Sequence, residues 1–356
     1  AAQTVDYSYT IQGWIGRINN PEAIGNDKFA MKLNYSSNGN VTQQQWRQPG
    51  LNGDLTAYDY SYDAANRLIS ATNGNEAYCS GFSCSFDVNY SYDKNGNLMD
   101  IFRHTNLYGY DYSTYSPMNY NEYDIQLVAN TNKIDSVIHV ENIAGTSIDS
   151  DSIGIFYDAN GNMTSNELQG FSSASYDWRN LPSQMVAGSK TLKYAYDGDG
   201  NRVKKSVSGQ GTTTYYVRGA DGHVIAAYNG NEGLLYLNIV TPGGEVLGSY
   251  DGTQRRYFLK DHLGSIRMTI DENGARDGYD DYYPFGLTMP GRSSNSANRM
   301  MPINSQAMSL IMRLVWIFIT PMLVAMIRYL GGLCRLIRWL ISFRVGHRIT
   351  TYITIL

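Results

Sequence analysis

Cysteine and proline are scarce in this sequence, which has 3 cysteines and 9 prolines among 356 residues. No CxxC or Cys/His spacing of a structural zinc site occurs, so a zinc-organised fold is not predicted. Cys79 and Cys84 are spaced for a small disulfide loop in an oxidising compartment, and equally for two free thiols. The first residues also lack an initiator methionine and a charged-then-apolar signal segment, so we expect a section of a longer protein.

Acidic residues are missing from the last part of the chain. All 32 of them lie at or before Asp281, whereas eight arginines and no lysine lie after it. Residues 1–281 therefore hold 20 basic and 32 acidic residues, a net charge of −12, and residues 282–356 have a net charge of +8. Because nucleic acids present a dense row of negative phosphates, the acidic body predicts no nucleic-acid partner.

Tyrosine and glycine are abundant, with 30 and 35 residues respectively. Tyrosine favours strands and glycine favours turns, and helix signals are nearly absent from residues 1–292. The composition therefore predicts an all-β structure with many turns.

Several short segments share an aromatic strand end followed by a turn of Asp, Asn and Gly. They are Asp59–Asn73, Asn89–Met99, Ile155–Asn166, Ser175–Val186, Lys193–Val207 and Thr214–Tyr228, with Asp6–Asn20 as a weaker first copy. The tyrosines at 157, 176, 196 and 216 are 19, 20 and 20 residues apart. Such regular spacing predicts a repeat architecture rather than a catalytic domain.

The residue types of one unit, Tyr157 to Asn162, predict a β-hairpin. Tyr157 ends a strand, and the Asp158 carboxylate is placed to accept hydrogen bonds from turn amides. Gly161 supplies the positive φ that a type I turn with a bulge requires, after which the chain returns as a second strand. The same pattern occurs at Tyr62-Asp63, at Tyr92-Asp93 with Gly96, and at Tyr196-Asp197 with Gly200.

A longer gap separates Tyr92 from Tyr157. Residues 108–124 are rich in Tyr, Asn and Ser, and we expect an extended surface insert there. Residues 126–140 are typical of a divergent repeat, with Asn130-Thr131-Asn132 as its turn and Ile134–Val140 as its strand.

The stretch Arg256–Arg292 contains two strand-like runs, Arg256–Lys260 and Ile266–Ile270. Asp261, His262 and Gly264 lie in the turn between them, and an aromatic run closes at Pro284-Phe285-Gly286. The string RYFLKDHLGSIR, followed by YDDYYPFG, resembles the core region of the RHS, or YD-repeat, family. On this resemblance the motif residues of the core are Asp261, His262, Gly264, Arg267, Pro284 and Gly286.

The resemblance implies a hollow β shell, wound from YD-repeat hairpins, that encloses a variable C-terminal toxin. In that family the core region seals the shell and releases the toxin by self-cleavage downstream. We therefore expect a YD-repeat section at 1–237, the start of the core at 238–298 and an apolar, basic tail at 299–356. The expected role is a non-catalytic wall section of a polymorphic toxin, secreted or at the surface of a bacterium. Its expected partners are the rest of its own RHS chain and the enclosed toxin.

Particular residues permit other functions. An adhesion module could bind surface glycans through Trp14, Trp46 or Trp178. Asp261-His262 could form an acid–base pair, but no nucleophile motif accompanies it, and the turn role is favoured. Residues 197–201 come nearest to a calcium loop and lack its carboxylate density, so turn chemistry is again favoured. No catalytic residue, cofactor or metal site is predicted.

The tail permits two interpretations. Leu310–Leu330 is long enough to span a bilayer, and Cys334–Arg348 resembles a basic amphipathic segment, so one hypothesis is a membrane-inserting effector. The other is that the tail is out-of-frame translation, because acidic residues and lysine disappear together at about Asn298. Only a genuine tail would make a membrane a partner.

The frameshift interpretation is preferred because a shifted frame restores family-like sequence. Read one nucleotide earlier, the codons for residues 300–311 permit DDAYKFTGHELD, and those for residues 331–349 permit GRFMQVDPLADKFPGWSPY. Both strings resemble the next segments of the RHS core, in family order. The nucleotide sequence from codon 298 onward tests this, and stop codons in the earlier frame would favour the membrane effector.

Overall fold

A computed structural model describes residues 3–48, 55–73, 86–104, 120–143, 146–149, 153–166, 170–209 and 211–295. These residues form 25 strands and no helix, so the all-β prediction is confirmed. Cys79, Cys84 and the tail from residue 296 lie outside the described residues, together with the predictions made for them.

The strands take up most of the described chain. In order they are β1 Tyr7–Tyr9, β2 Ile15–Ile18, β3 Ala30–Tyr35, β4 Val41–Arg47, β5 Thr56–Tyr62, β6 Leu68–Asn73, β7 Val88–Tyr92, β8 Leu98–His104, β9 Tyr120–Leu127, β10 Ile134–Ile143, β11 Thr146–Asp149, β12 Ile153–Tyr157, β13 Met163–Asn166, β14 Phe171–Tyr176, β15 Pro182–Ala187, β16 Lys190–Tyr196, β17 Arg202–Val207, β18 Thr212–Arg218, β19 Val224–Asn229, β20 Leu234–Val240, β21 Val246–Tyr250, β22 Arg255–Lys260, β23 Ile266–Asp271, β24 Arg276–Tyr282 and β25 Thr288–Asn295.

The strands form one antiparallel ribbon in which nearly every strand pairs with the next along the chain. The exception lies at β10, which pairs with β9 on one side and with both β11 and β12 on the other. The predicted boundary between repeat section and core, at residue 237, falls within β20. The division into domains stays a prediction.

The hairpin turns have the predicted geometry, as the Tyr157–Asn162 unit shows. Asp158 Oδ1 accepts hydrogen bonds from the amides of Asn160 and Asn162, at 2.9 and 2.8 Å. The Asn162 side chain and these amides hold the pKa of Asp158 below its ordinary value. Gly161 has a φ of 86°, which a side chain would make costly. An aspartate at the start of a turn accepts the same pair of amide bonds at Asp63, Asp93, Asp177, Asp197, Asp261 and Asp271.

In six hairpins of the described chain the tyrosine before the turn forms a hydrogen bond to the preceding hairpin. The Tyr62 hydroxyl donates to the carbonyl oxygen of Val41 at 2.9 Å, and Tyr92 donates to that of Leu68 at 2.9 Å. The same bond runs from Tyr35 to Ile15, Tyr176 to Met163, Tyr196 to Pro182 and Tyr282 to Ile266. The Tyr-Asp pair therefore has two structural tasks, because Asp caps its own turn while Tyr cross-links neighbouring hairpins.

A β-bulge recurs at the second residue of the return strand. In the β5–β6 hairpin, Tyr62 is opposite Leu68 and Ser61 is opposite Ser70, so Ile69 is the extra residue. The equivalent extra residues are Thr42, Met99, Thr164, Ser183, Val203, Ile225, Leu247 and Arg267. Because each bulge increases twist and bends its strand, their repetition curls the ribbon.

The predicted surface insert is partly wrong. Its last residues, 120–124, belong to β9, where Tyr123 is opposite Ile101 of β8 and stacks on His139 of β10 with ring centroids 4.5 Å apart. Cross-strand aromatic contacts of this kind stabilise a sheet and outweigh the loop-like composition. The divergent repeat after it is confirmed, because β10 follows a turn between Val128 and Lys133.

Most of the apolar core lies between the first and last strands of the ribbon. Its buried members are Ile18, Phe29, Met31, Leu33, Trp46, Tyr58, Ala71, Phe86, Val88, Tyr90 and Ile101 from the first part, and Leu259, Met268, Ile270, Tyr283 and Met289 from the last. The two ends of the curled ribbon are therefore packed on each other.

Candidate functional site: the closure between the first and last hairpins

The alternation of side chains shows which sides of the sheet meet at this closure. We call the side that carries Tyr58, Tyr60 and Tyr62 in β5 the inner face, and the opposite side the outer face. Strand registers carry the inner face along the ribbon, because residues directly opposite each other project to the same side. In the first half of the ribbon the inner-face positions include Tyr60, Ala71, Val88, Ile101, Tyr123, Ile125, Val137, Ile155 and Tyr157. In the second half they include Met185, Leu192, Tyr194, Lys205, Thr214, Tyr216, Ala227, Tyr236, Asn238, Ser249, Arg256 and Phe258.

The last hairpins contact the core through their outer face. Phe258 is an inner-face residue of β22, so its neighbour Leu259 belongs to the outer face, together with Met268, which is directly opposite it. Leu259 and Met268 are nevertheless buried in the same cluster as Tyr58 and Trp46. The inner face of the first strands therefore covers the outer face of the last strands. The ribbon is rolled, with its last hairpins inside the curve of its first.

A buried carboxylate lies in the middle of this contact. Asp281, at the end of β24, is 0% exposed and accepts hydrogen bonds from Trp46 Nε1 at 2.7 Å and Gln48 Nε2 at 3.1 Å. Arg267 and Arg292 both form ion pairs with it, and the Arg292–Asp281 separation is 2.7 Å. We call Trp46, Gln48, Arg267, Asp281 and Arg292 the closure cluster.

The closure cluster joins parts of the chain that are very distant in sequence. The Trp46–Asp281 bond spans 235 residues, and the bond from Arg292 to the Thr56 hydroxyl spans 236. The Tyr283 hydroxyl adds a third link, because it donates to the carbonyl oxygen of His104 at 2.5 Å. Removing one member of such a buried charge set leaves its partners unpaired and costs far more than a surface ion pair.

Arg267 is the extra residue of the recurrent bulge in β23. In other hairpins the extra residue lies on the outer surface, where Ile69 is 37% and Leu247 is 42% exposed. The last hairpins have their outer face covered, so the same position in β23 is buried and Arg267 is 2% exposed. Its guanidinium lies 5.0 Å from the Trp46 ring centroid, a cation–π contact that adds to the ion pair.

Asp261 and His262, predicted from the core motif, lie next to the closure cluster. Asp261 Oδ1 accepts the amides of Leu263 and Ser265 at 3.0 and 2.9 Å, as the turn interpretation predicts. Its Oδ2 lies 3.7 Å from Arg267 Nη1. Burial lowers the pKa of the His262 imidazole, an effect that the nearby Asp261 carboxylate opposes.

The other motif residues of the prediction are turn residues. Gly264 and Gly286 have φ values of 85° and 83°, and Pro284 is the second residue of the turn that Tyr283 and Leu287 close. Gly96 and Gly200 have φ values of 91° and 86° in their own hairpin turns. The structure brings only Arg267 into the closure cluster and Asp261 beside it, while the repeat residues Tyr62, Asp63, Tyr92, Asp93, Tyr157, Asp158, Tyr196 and Asp197 are spread along the ribbon.

Sequence reasoning missed Trp46, Gln48, Asp281 and Arg292. Asp281 did carry a signal, because two adjacent aspartates in a run of aromatic residues are unusual unless a partner is present. Trp46 was instead proposed as an exposed sugar platform, and this is wrong because its side chain is 1% exposed. Its strand lies beneath the last hairpins, a contact that the local sequence does not indicate.

Among the described residues, no group of three or more His, Cys, Asp or Glu side chains is arranged to hold a metal ion. The turn at residues 197–201 uses Asp197 Oδ1 for the amides of Asp199 and Asn201, at 3.0 and 2.8 Å. Within those described ranges, no helix is long and apolar enough to cross a membrane. Leu310–Leu330 lies outside them.

Comparisons with known proteins identify the family. The model of the teneurin YD-shell family matches residues 19–304, and the chain belongs to this family of RHS/YD-repeat shell proteins. A comparison with curated protein sequences gives no match.

Several of the similar solved structures are of toxin complexes. The Photorhabdus luminescens Tc holotoxin pore has 14% identity and a TM-score of 0.50, and the match covers 85% of this chain and 16% of that chain. For TcdB2–TccC3 without its hypervariable C-terminal region, the identity is 13% and the TM-score 0.53, with 85% and 16% covered. For TcdB2–TccC3–Cdc42 the values are 15%, 0.51, 83% and 16%. At these identities the similarity shows a common fold, and this chain spans about a sixth of the length of those chains.

Proposed function

We propose that this chain is the closing section of a shell wall, and that the complete shell encloses a toxin at the C-terminal end of its own polypeptide. The observation that carries this proposal is the rolled arrangement, in which the last hairpins lie inside the curve of the first and are anchored through Asp281. A strand ribbon that ends inside its own wall closes one end of a cavity. The proposed role of this section is structural, which the shell family supports.

The fold family and the toxin-complex structures support the kind of partner that we propose. Shell walls of this length are only sections, because the matched chains are about six times longer than the matched region. The partners of this chain are therefore the other hairpins of the same RHS polypeptide and the polypeptide enclosed by them. Such a particle acts outside the cell that makes it, so the proposed location of the protein is secreted or at the surface of a bacterium.

Electron microscopy of the native product tests this function. An antibody against the exposed turn at Trp178 captures the product from the organism that encodes it, and captured particles are imaged after negative staining. We expect hollow particles formed by a polypeptide much longer than this chain. Solid or filamentous particles, or a product no longer than this chain, would refute the shell proposal.

A second candidate, glycan adhesion, is favoured by one observation. Trp178 is 89% exposed at a turn tip, with the guanidinium of Arg179 5.5 Å from its ring centroid. A glycan array of the full chain distinguishes the two functions, with Trp178→Ala as the binding variant and Tyr215→Ala, which removes another exposed aromatic side chain, as the control. The shell proposal expects no specific binding, whereas reproducible binding that only Trp178→Ala abolishes would establish adhesion.

A further inference from the structure

The middle of the ribbon differs sharply in charge from the rest of the acidic body. The nine strands from β13 to β21 contain no Asp or Glu, and the aspartates of this part of the chain lie in turns. Three of these strands, β16 to β18, hold six basic residues, which are Lys190, Lys193, Arg202, Lys204, Lys205 and Arg218.

Some of these cations project from the inner face. Lys205 is directly opposite Tyr194 on one side and Thr214 on the other, and these are inner-face positions. Arg202 is opposite Tyr196, and its guanidinium lies 5.5 Å from the Tyr194 ring centroid and 5.3 Å from that of Tyr216. Arg218 follows two residues after Tyr216 on the same strand. We call Arg202, Lys205 and Arg218, with the rings of Tyr194 and Tyr216, the inner basic patch.

The charges of this patch are crowded and incompletely compensated. Burial, and then the positive charge of Arg202, lower the pKa of Lys205. Burial lowers the pKa of Arg218, and the attraction of the Asp197 carboxylate in the adjoining turn opposes this effect. Arg202 Nε is buried without a hydrogen-bond partner among the described residues. The Arg218 guanidinium already donates to the carbonyl oxygens of Gly222 and Arg202, at 2.6 and 3.1 Å. A bound carboxylate would offset the repulsion between Arg202 and Lys205.

The core cluster of the closure does not include the patch. The last hairpins cover the inner face of the first strands. Every buried member of that core cluster lies either between Ile18 and Ile101 or between Leu259 and Met289. The chain's own tail is a poor occupant, because residues 296–356 carry seven arginines and no acidic residue. An acidic segment from elsewhere has the complementary charge, and tyrosine rings beside the cations give its backbone and side chains an apolar surface to contact.

We propose that the inner basic patch binds an acidic polypeptide segment on the inner side of the wall. The source of that segment rests on the proposed function, because an enclosed polypeptide is what the inner face would meet. The binding chemistry itself is independent of enclosure. The patch therefore orients acidic stretches of the enclosed chain against β16 to β18.

Adjacent lysines of β17 supply a matched pair of variants for the test. Lys205 projects from the inner face, whereas Lys204 is opposite Ala195 and Tyr215 and projects from the outer face. Both side chains are partly buried in the same strand. Lys205→Met and Lys204→Met therefore remove the same charge from the two sides of the sheet. Because burial already disfavours the Lys205 charge, its replacement by Met is expected to leave the fold intact, which circular dichroism checks.

The measurement uses the full chain, immobilised at low density, and a fluorescent oligo-glutamate peptide at physiological salt. Lys205→Met and Arg202→Gln are each expected to weaken binding at least about tenfold, because each removes a charge-assisted contact. Lys204→Met is expected to leave it within about twofold. Binding through the basic tail would be the same in all variants and so would not produce this difference.

Three results would overturn the proposal. They are an absence of oligo-glutamate binding, equal losses in Lys204→Met and Lys205→Met, and single-stranded oligonucleotide binding that exceeds peptide binding and has the same dependence on Lys205. Displacement of the peptide by millimolar inorganic phosphate would also count against it, because a polypeptide site should prefer the extended ligand. Hollow native particles without peptide binding would refute the binding role of the inner basic patch and leave the shell proposal standing. Peptide binding without hollow particles would refute the shell proposal and leave the binding role standing.

Discussion

Replacing Asp281 by alanine is expected to lower the free energy of unfolding by about 3–5 kcal/mol, the cost of breaking a buried ion pair. The change leaves Arg267, which is 2% exposed, and the donors of Trp46 and Gln48 without their common acceptor. Urea unfolding of the full chain measures the effect through its midpoint and slope.

The matched control is Asp135→Ala, because Asp135 is an exposed residue of β10 with no part in the closure. We expect it to change stability by less than about 0.5 kcal/mol. The double variant Arg267→Met with Asp281→Leu should recover only the part of the loss that comes from the unpaired Arg267, because Trp46, Gln48 and Arg292 still lack their acceptor. Equal effects of Asp281→Ala and Asp135→Ala would contradict a closure built on Asp281.

Alkaline pH is expected to unfold the ribbon in a steep transition that begins above pH 10. Burial raises the pKa of Tyr35, Tyr62, Tyr92, Tyr176 and Tyr194 from 10.0 to about 12. These tyrosines are neutral when protonated, so the folded state retains protons that the unfolded state releases. Their contribution to stability is complete below pH 10 and is lost as the pH rises through about 12. Because these side chains are only partly buried and solvent screens them, each contributes a slope below the limit of about 1.4 kcal/mol per pH unit in that window.

Tyrosinate absorbance and circular dichroism, followed together from pH 8 upward, check this expectation. The two signals should change together, because ionisation requires that the hairpins separate. Tyr62→Phe removes one of these groups and its bond to the Val41 carbonyl, so it should cost about 1 kcal/mol at neutral pH and also reduce the alkaline slope. Complete ionisation of the tyrosines near pH 10 without loss of strand signal would show that they are not buried as described.

Hairpins and turns could be predicted from the sequence because they depend on neighbouring residues. The Asp158 carboxylate and the positive φ of Gly161 act within five residues, and the spacing of the tyrosines reports the repeat directly. The bond from Tyr62 to Val41 reaches only one hairpin back, so it follows from the same repetition. The strands of the core stretch were predicted to within one residue at each end for the same reason.

The closure could not be predicted in the same way, because it joins residues that are 179–236 positions apart. The sequence neighbours of Trp46 are the same whether or not another part of the chain covers its face of the sheet. Whether that face is covered depends on how far the whole ribbon curls. The burial of Arg267 depends likewise on which section of the ribbon lies inside the other. The inner basic patch was also missed, since the net charge of the whole body hides a strand region without acidic residues.

A double-mutant cycle between Trp46 and Asp281 tests the rolled arrangement most directly. Trp46→Phe removes the indole N–H that lies 2.7 Å from Asp281 Oδ1, and the cycle compares its effect in the wild-type and Asp281→Ala backgrounds. Trp14→Phe, at a tryptophan outside the closure cluster, provides the control and should be additive with Asp281→Ala. The account predicts a Trp46–Asp281 coupling of about 1.5–3 kcal/mol, the range for a hydrogen bond to a charged group. A coupling within about 0.5 kcal/mol of zero would show that the two ends of the ribbon are not packed together.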